Sequence, residues 1–491
     1  MFSTKTLRRQ LCKGCATGLV NEQDFLWWLP GVVVVEFKRP LAPGSIFRSL
    51  NSKSSPESSW LDLDKFSRIA GKRLVKAPER TFQFEKEQPP SRPDYARFLT
   101  LYMDDGANTP AIARQLSAVQ GIVRAAPEPI LSPPIREIPL QLHRMSSRVM
   151  MMDTLGDTVL GDPLLNEPLA VSGGDPLGVS FMLERDELQN QWYLFRSRAD
   201  GVLNDGTNGT GVVVAVVDWG FNVNHIEFQN KIQYKYNAAQ DNNDLSSGPS
   251  KWHGTASLGL VGAGDNDEGM LGFAAGAELW AIQGQDSGGN LDNRCWARAI
   301  EKARTKDSNG KRKVILIEAS TTRGFNVESS MTLREPIKAA INDNCVVCVP
   351  AGNLGVNAGK TPSNASIPET GSILVGATQY SSETSEIKRG ISNWGSRIVV
   401  SAPGDAATDV TTCDCDIDSY RNEFGGTSGA TAKVAGAMAL VLERFPQVTH
   451  RQIVQVLKGM TQISTTDNKA MGCFLDVSEL MYKVEQFLLE Q

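Results

Sequence analysis

The sequence predicts an α/β fold with a doubly wound, mostly parallel sheet and helices on both faces, preceded by a small α+β domain. From about residue 188 onward, apolar runs rich in β-branched residues alternate with helical stretches. Continuous apolar runs are typical of parallel strands that are buried on both faces. The runs are GVVVAVVD (211–218), VILIEAS (314–320), CVVCVPAGN (345–353), SILVGAT (372–378) and RIVVSAPG (397–404).

The α+β domain is predicted over residues 31–132. Its strand candidates are GVVVVEFKRPL, RFLTLYM and IVRAAPEPIL, and its helix lies in NTPAIARQLSAVQG. In this helix we expect Thr109 to be the N-cap, Pro110 to take the first helical position and Gly121 to follow the end. Residues 43–93 are rich in Ser, Lys, Glu and Pro, which predicts a surface insertion.

Two further segments carry little periodicity. Residues 1–30 are interpreted as a weakly structured lead-in. Residues 133–187 contain a Met run and the stretch VSGGDPLG, and are interpreted as a long linker.

Composition and charge argue against several functional classes. The 50 basic and 55 acidic residues give a net charge of −5 without a dense basic block, so nucleic-acid binding is not expected. No apolar run approaches the roughly 20 residues that span a bilayer, and the N-terminal stretch lacks the apolar core of a secretory signal. We therefore expect no membrane association and a cytoplasmic location, although non-classical export stays open.

The eight cysteines are interpreted as free thiols, because an even count in a chain this long is weak evidence for disulfides. Cys345 and Cys348 are three residues apart on one predicted strand, so they face opposite sides and cannot share a metal ion. Cys12 and Cys15 form a CxxC without a second pair, and their role stays open. We predict no metal centre and no required cofactor.

Four polar residues stand where strands end or helices begin. Asp218 ends the first apolar run, His253 lies in the small-residue stretch KWHGTASLGLVGA, Asn353 follows the run VPAGN, and Ser428 precedes a helix in GGTSGATAKVAGAM. Each has an ordinary structural interpretation when taken alone, as a turn residue, a surface histidine or a helix cap. In sheets of this class, however, reacting groups gather beyond the carboxyl ends of the strands.

Taken together, these motifs resemble those of the subtilisin-like serine proteases, or subtilases. The similar stretches are VAVVDWGFNVNHIEF, HGTASLGLVGA, VPAGNLG, ISNWGSRIVVSAPG and GGTSGATAKVAGAMAL, and the resemblance covers about residues 188–485. Their order along the chain, Asp then His then Ser, is the order in subtilisin. The resemblance implies a peptidase domain in which Asp218, His253 and Ser428 form a catalytic triad and Asn353 contributes to the oxyanion hole.

Those roles fit the chemistry of the side chains. A serine hydroxyl is a weak nucleophile at neutral pH and needs a general base, here His253. Asp218 is expected to hold the imidazole in one tautomer, and the Asn353 amide and the Ser428 N–H are expected to bind the oxyanion. The implied reaction is hydrolysis of peptide bonds by a serine endopeptidase through an acyl-enzyme intermediate.

The chain departs from the family pattern directly after the serine. Where relatives have Met-Ala-(Ala/Ser/Thr)-Pro-His, this sequence has Gly429-Ala430-Thr431-Ala432-Lys433. Ala432 replaces a proline that we expect in the first turn of the helix, so its loss is expected to loosen the helix start. DWG replaces the more usual DTG or DSG and adds a bulky ring after Asp218.

The 31–132 domain resembles the inhibitory propeptide that precedes many subtilases, and residues 189–203 resemble the segment that opens the mature enzyme. The resemblance implies a zymogen in which this domain is an intramolecular inhibitor and the chain cleaves itself within 133–187. Substrate strands in this family pair with an edge near EASTTRG, where we expect Ser320 and Thr322 to contact the peptide backbone.

Several interpretations stay open. The acidic loops GDNDEG (264–269) and QDNNDL (240–245) are compatible with solvated loops and with calcium sites, as some relatives bind calcium in surface loops. A catalytically silent fold that acts as a binding or regulatory module is an alternative, although no triad member is missing. A transpeptidase that uses the same triad is another.

Overall fold

The computed structural model describes residues 28–41, 60–81, 93–132 and 191–491, with short gaps at 72, 77, 105–106, 249, 267–268, 286–291, 322–323, 362–363, 383–384, 389, 405–411, 423 and 464–467. The predicted linker and most of the predicted lead-in lie outside the described residues. Among the described residues, no helix is both long and apolar enough to cross a membrane.

The N-terminal domain is a four-stranded antiparallel sheet with the strand order β2-β3-β1-β4. A short strand, β5, follows it. The elements are β1 (Trp28–Phe37), α1 (Leu63–Phe66), β2 (Glu79–Arg80), β3 (Phe98–Tyr102), α2 (Thr109–Ser117), β4 (Ile122–Pro129) and β5 (Leu131–Ser132).

The apolar run of β1 is explained by burial on both sides. Val33 and Val35 face the domain's own core with Leu116 of α2, whereas Val34 belongs to the core of the large domain together with Phe98 of β3. Because successive side chains of a strand point to opposite faces, a strand covered on both faces has no polar side to present.

Three predictions about this domain are corrected. β1 begins at Trp28, inside the segment interpreted as lead-in. The N-cap of α2 is Asn108, whose side chain accepts a hydrogen bond from the backbone N–H of Ala111, and Thr109 is already helical. Part of the predicted surface insertion belongs to the folded domain, because α1 and β2 lie within it and Phe66 is buried in the domain core.

The large domain is built around a sheet with the strand order β17-β14-β12-β11-β9-β6-β8-β7, in which neighbouring strands are parallel, and β13 adds an antiparallel strand to β12. Its elements are α3 (Trp192–Arg196), α4 (Ala199–Asn204), β6 (Val212–Asp218), β7 (Ile232–Asn237), α5 (Lys251–Gly262), β8 (Glu278–Gln283), α6 (Asn293–Thr305), β9 (Arg312–Ile317), β10 (Ser320–Thr321), α7 (Met331–Asn342), β11 (Val346–Pro350), β12 (Ile373–Ser382), β13 (Ser385–Lys388), β14 (Val400–Pro403), β15 (Thr412–Cys413), β16 (Tyr420–Arg421), α8 (Gly426–Arg444), α9 (His450–Gly459), β17 (Cys473–Phe474) and α10 (Val477–Leu489).

The predicted fold class is confirmed. One face of the sheet packs against α5 and α8, and the other packs against α6 and α7, so the helices form two outer layers. The five apolar runs are β6, β9, β11, β12 and β14. Sequence reasoning missed β7, β8 and β17, because IQYKYN carries polar residues and ELWAIQ and CF are short apolar stretches.

Candidate active site

The carboxylate of Asp218 is buried at the carboxyl end of β6, in the middle of the sheet. It accepts hydrogen bonds from the backbone N–H of Trp219 at 2.6 Å and from Ser257 Oγ at 3.2 Å. The bulky ring of Trp219 lies in the core, edge-on to Trp296 with ring centroids 4.8 Å apart. DWG therefore adds a core contact without disturbing the carboxylate.

His253 lies on the first turn of α5 and is hydrogen-bonded to Asp218. Its Nδ1 lies 3.0 Å from Oδ1 and 2.9 Å from Oδ2 of that carboxylate. A carboxylate accepts only, so it holds the proton on Nδ1 and leaves Nε2 unprotonated in the neutral ring. The ring packs edge-on against Phe424, with centroids 5.2 Å apart.

The small residues around His253 allow α5 to approach the sheet closely. A Cβ built on Gly254 would lie 2.3 Å from the carbonyl oxygen of Gly220, just after Asp218. Any side chain at position 254 would push the helix away from the end of β6. The glycine thus sets the distance between the histidine and the aspartate.

Ser428 is the third residue of α8 and is half-buried. The N-cap, Gly425, supplies no side-chain hydrogen bond to the helix start. The first N–H groups of a helix have no partner within it, so this end is suited to bind an anion. α8 packs against α5, and the His253 ring contacts Phe424, which lies just before α8. No hydrogen bond joins Ser428 and His253 in this structure.

Asn353 follows β11 and is anchored through its carbonyl oxygen. Its Oδ1 accepts hydrogen bonds from the backbone N–H and the hydroxyl of Thr427, each at 3.0 Å. The Nδ2 group is thereby directed away from Thr427 as a donor. Gly352, with φ of +101°, allows the turn, since its hypothetical Cβ would lie 1.8 Å from the carbonyl oxygen of Gly324. The loop places an amide donor beside the start of α8.

Glu318 is a site residue that sequence reasoning missed. It follows β9, is buried, and its pKa is raised well above the ordinary value of 4.5, first by burial and then by the negative charge of Asp218. The Ser428 hydroxyl opposes that shift, so it faces the carboxyl. A sequence signal was present, because Glu318 continues the alternation of Val314 and Leu316 toward the same core.

The predicted substrate edge is occupied by the chain's own N-terminal domain. β5 pairs antiparallel with β10, with Ser132 opposite Ser320 and Leu131 opposite Thr321. Thr322 lies outside the described residues. An extended segment already lies where Ser320 was expected to contact substrate backbone.

The altered segment after Ser428 is part of a regular helix. α8 begins at Gly426, so Ala432 lies beyond the first turn and the predicted loosening of the helix start is wrong. The side chain of Lys433 is buried, and its Nζ donates to the carbonyl oxygens of Pro403 at 2.9 Å and Gly429 at 3.3 Å.

The described residues contain no group of three or more His, Cys, Asp or Glu side chains placed to hold a metal ion. In the loop 240–245, Asp241 accepts a hydrogen bond from the hydroxyl of Tyr236, and Asp244 accepts from Ser246. Calcium binding stays a prediction. No disulfide joins the six described cysteines, as expected; they are Cys295, Cys345, Cys348, Cys413, Cys415 and Cys473.

Comparison with known proteins identifies the family. The model of the Subtilase family matches residues 209–472, more than half of the chain and all four site residues named above from the motifs. The chain belongs to the subtilase family. It is a subtilisin-like serine protease.

Similar proteins are bacterial proteases. The alkaline protease of Alkalihalobacillus alcalophilus is 27% identical to this subtilase over 320 residues, which are 63% of this chain and 77% of that protein. Subtilisin E of Bacillus subtilis (strain 168) is 29% identical over 259 residues, which are 52% of this chain and 62% of that protein.

A solved structure extends the likeness to the N-terminal domain. Fervidolysin from Fervidobacterium pennivorans, described as a keratinolytic enzyme related to subtilisin, aligns with 93% of this subtilase and with 61% of its own chain, with a TM-score of 0.59. At 18% identity this likeness concerns the fold alone.

Proposed function

We propose that this subtilase is a serine endopeptidase that hydrolyses peptide bonds through the triad Asp218, His253 and Ser428. The observation that carries the proposal is the hydrogen bond from His253 Nδ1, on a helix that packs against the helix holding Ser428, to the buried carboxylate of Asp218. This arrangement gives an imidazole with one defined tautomer, a partner for its charged form, and a hydroxyl at a helix N-terminus.

Each of these residues has its own role in the proposed reaction. His253 Nε2 takes the proton of Ser428 as Oγ attacks the peptide carbonyl carbon, and Asp218 stabilises the imidazolium that forms. The Asn353 amide and the backbone N–H of Ser428 donate to the oxyanion, and loss of one such donor typically raises the barrier by about 3 to 4 kcal/mol. The imidazolium then protonates the departing amine, and water hydrolyses the acyl ester with His253 again as base.

We further infer that the N-terminal domain is an intramolecular inhibitor. The pairing of β5 with β10 supports this, because it occupies the strand edge that an extended peptide would use. Glu128 adds a second contact: its buried carboxyl accepts hydrogen bonds from Ser330 Oγ at 2.8 Å and from the backbone N–H of Thr332 at 3.1 Å, at the start of α7.

Two further polar contacts cross this interface, beside the apolar packing of Val34 and Phe98 against the large domain. Arg124 forms an ion pair with Glu335 at 2.6 Å, and Asn293 Nδ2 donates to the carbonyl oxygen of Pro129 at 2.9 Å. Release of the domain requires a cut after β5, and we propose that the chain makes this cut itself within residues 133–187.

A fluorophosphonate probe tests the proposed chemistry, because it forms a covalent bond only with an activated serine. We expect wild type to be labelled, Ser428→Ala to stay unlabelled, and Thr431→Ala to be labelled. Thr431 is a matched control, because it lies on the same helix and its hydroxyl donates to the helix backbone at Thr427. Absence of labelling in wild type, even after limited proteolysis of the N-terminal domain, would refute the hydrolase proposal.

Self-processing is tested separately by intact mass and N-terminal sequencing of the same proteins. Wild type is expected to yield a new N-terminus within 133–187, and Ser428→Ala is expected to stay full length. Identical masses and N-termini for the two proteins would refute self-processing without affecting the proposed hydrolysis.

A further inference from the structure

Glu318 lies directly after β9, and the reaction proposed above does not use it. Its backbone N–H donates to the carbonyl oxygen of Val217 at 2.8 Å, which fixes the residue beside Asp218 at the end of β6. Val314 and Leu316 precede it on the same face of β9, and both lie in the core formed with α8. An acidic side chain therefore continues an apolar face toward the helix that carries the nucleophile.

Titratable and polar groups face the Glu318 carboxyl from neighbouring elements. Asp218 lies on β6, Ser428 on α8 and the Cys348 thiol on β11, and His253 on α5 is joined through Asp218. Only 1% of Glu318 is exposed. Neither of its oxygens has a hydrogen bond of ordinary length among the described residues.

The two adjacent carboxyls differ in their surroundings. Asp218 accepts hydrogen bonds from the Trp219 N–H, Ser257 and His253. Among the described donors, Glu318 has only the Ser428 hydroxyl facing it, outside hydrogen-bond distance, and burial and the charge of Asp218 raise its pKa. The raised pKa favours the protonated form of Glu318, and a neutral carboxyl has one O–H to donate.

We propose that Glu318 is a positioning residue for the nucleophile, and that its neutral carboxyl donates a hydrogen bond to Ser428 Oγ in the substrate complex. The inference rests on the proposed function. Catalytic hydrogen bonds are often long before substrate binds and shorten in the complex. With a lone pair of Oγ engaged by Glu318, the hydroxyl hydrogen of Ser428 is directed to Nε2 of His253.

The same hydrogen bond acts when the acyl-enzyme is hydrolysed. The C–O bond between the acyl carbon and Ser428 Oγ breaks, Oγ leaves with the electron pair, and it takes its proton from the His253 imidazolium. The neutral Glu318 donor stabilises the negative charge that develops on Oγ. Glu318 keeps its own proton in every step, so the proton balance of the reaction is unchanged.

Ionisation of Glu318 reverses this effect. A carboxylate accepts only, so it competes with His253 for the hydroxyl hydrogen of Ser428. It also places a second buried negative charge beside Asp218, which is unfavourable. Activity is therefore expected to fall on the alkaline side as Glu318 loses its proton.

Three variants of the full chain test the proposal: Glu318→Gln, Glu318→Leu and Cys348→Ala. The measurements are the fluorophosphonate labelling rate, and kcat and KM on a fluorogenic peptide, from weakly acidic to strongly alkaline pH. Glutamine keeps a neutral donor, so we expect its kcat to exceed that of Glu318→Leu by roughly tenfold, with KM similar in both, as expected for loss of one hydrogen bond at the reacting oxygen.

The pH profiles distinguish positioning from packing. Glu318→Gln is expected to lose the alkaline decline assigned to Glu318, and Cys348→Ala, which removes the titratable thiol that faces Glu318 from β11, is expected to keep it. Equal kcat for the glutamine and leucine variants, or an alkaline decline that Glu318→Gln leaves in place, would overturn the proposal. If Glu318→Leu does not fold, the glutamine profile alone decides.

Measurements on the wild-type protein distinguish a failure of the proposed function from a failure of the proposed role of Glu318. If wild type is neither labelled nor active, the proposed function fails. If wild type is labelled and the Glu318 variants match it at every pH, only the positioning role fails.

Discussion

The anchoring of Asn353 by Thr427 leads to a prediction about catalysis that can be developed in detail. Asn353 Oδ1 accepts two hydrogen bonds from Thr427, one from the backbone and one from the hydroxyl. Thr427→Val removes only the hydroxyl, because valine has nearly the same shape and keeps the backbone N–H. The hydroxyl also accepts a hydrogen bond from the N–H of Gly352 at 3.3 Å, which the variant leaves unpaired.

The magnitude follows from the number of hydrogen bonds that hold the amide. One of two anchors is lost, and a neutral hydrogen bond contributes about 1 kcal/mol net, so kcat is expected to fall roughly fivefold. Removing the amide itself with Asn353→Ala is expected to lower kcat by about 10²- to 10³-fold, the effect known for the oxyanion-hole asparagine of subtilisin. KM is expected to change little, because the oxyanion forms only during the reaction.

A double-mutant cycle measures whether the two residues act together. We would compare kcat on a fluorogenic peptide for wild type, the two single variants, and the double variant. If the threonine acts by orienting the amide, Thr427→Val has no further effect once Asn353 is alanine. If Thr427→Val lowers kcat equally with asparagine and with alanine at position 353, the reasoning is refuted. The hydroxyl of Thr427 would then act through the start of α8 and not through the amide.

Four further predictions concern packing, linkage and metal. Gly254→Ala is expected to lower the melting temperature and abolish labelling, because its Cβ would lie 2.3 Å from the Gly220 carbonyl oxygen, whereas Gly390→Ala meets nothing within 4 Å and is the control. Glu318→Gln is expected to have a larger free energy of unfolding than wild type in urea titrations, and this difference is expected to grow as the pH rises above 4.5. The reason is that a raised pKa makes folded wild type bind more protons than the unfolded chain, so wild type loses stability as the pH rises. A difference that does not change with pH would contradict this prediction. Glu128→Gln is expected to weaken the binding of the N-terminal domain to α7 and to speed its removal in limited proteolysis, because the amide replaces one of the two carboxyl oxygens that accept from Ser330; unchanged cleavage would argue against this role. Excess EDTA is expected to lower the melting temperature if the acidic loops bind calcium, and an unchanged value would remove that prediction.

The protease family could be predicted from the sequence, and the site residues could be proposed from it, because their signals are local. Each of the apolar runs of β6, β9, β11, β12 and β14 predicts a buried parallel strand by itself, whichever strands lie next to it in the sheet. Asp218, His253, Asn353 and Ser428 lie in short motifs whose glycines and small residues are needed for close approach of the backbone. The need for small residues at these places involves only residues close together in the chain, so it can be recognised in a single sequence.

Other features depend on which distant segments meet. Glu318 resembles any strand-end glutamate until the sheet places it between Asp218 and Ser428. The pairing of Leu131–Ser132 with Ser320–Thr321 joins segments almost two hundred residues apart along the chain. The raised pKa of Glu318 and the occupied strand edge are set by desolvation, charge and long-range pairing, and these exist only after the chain has folded.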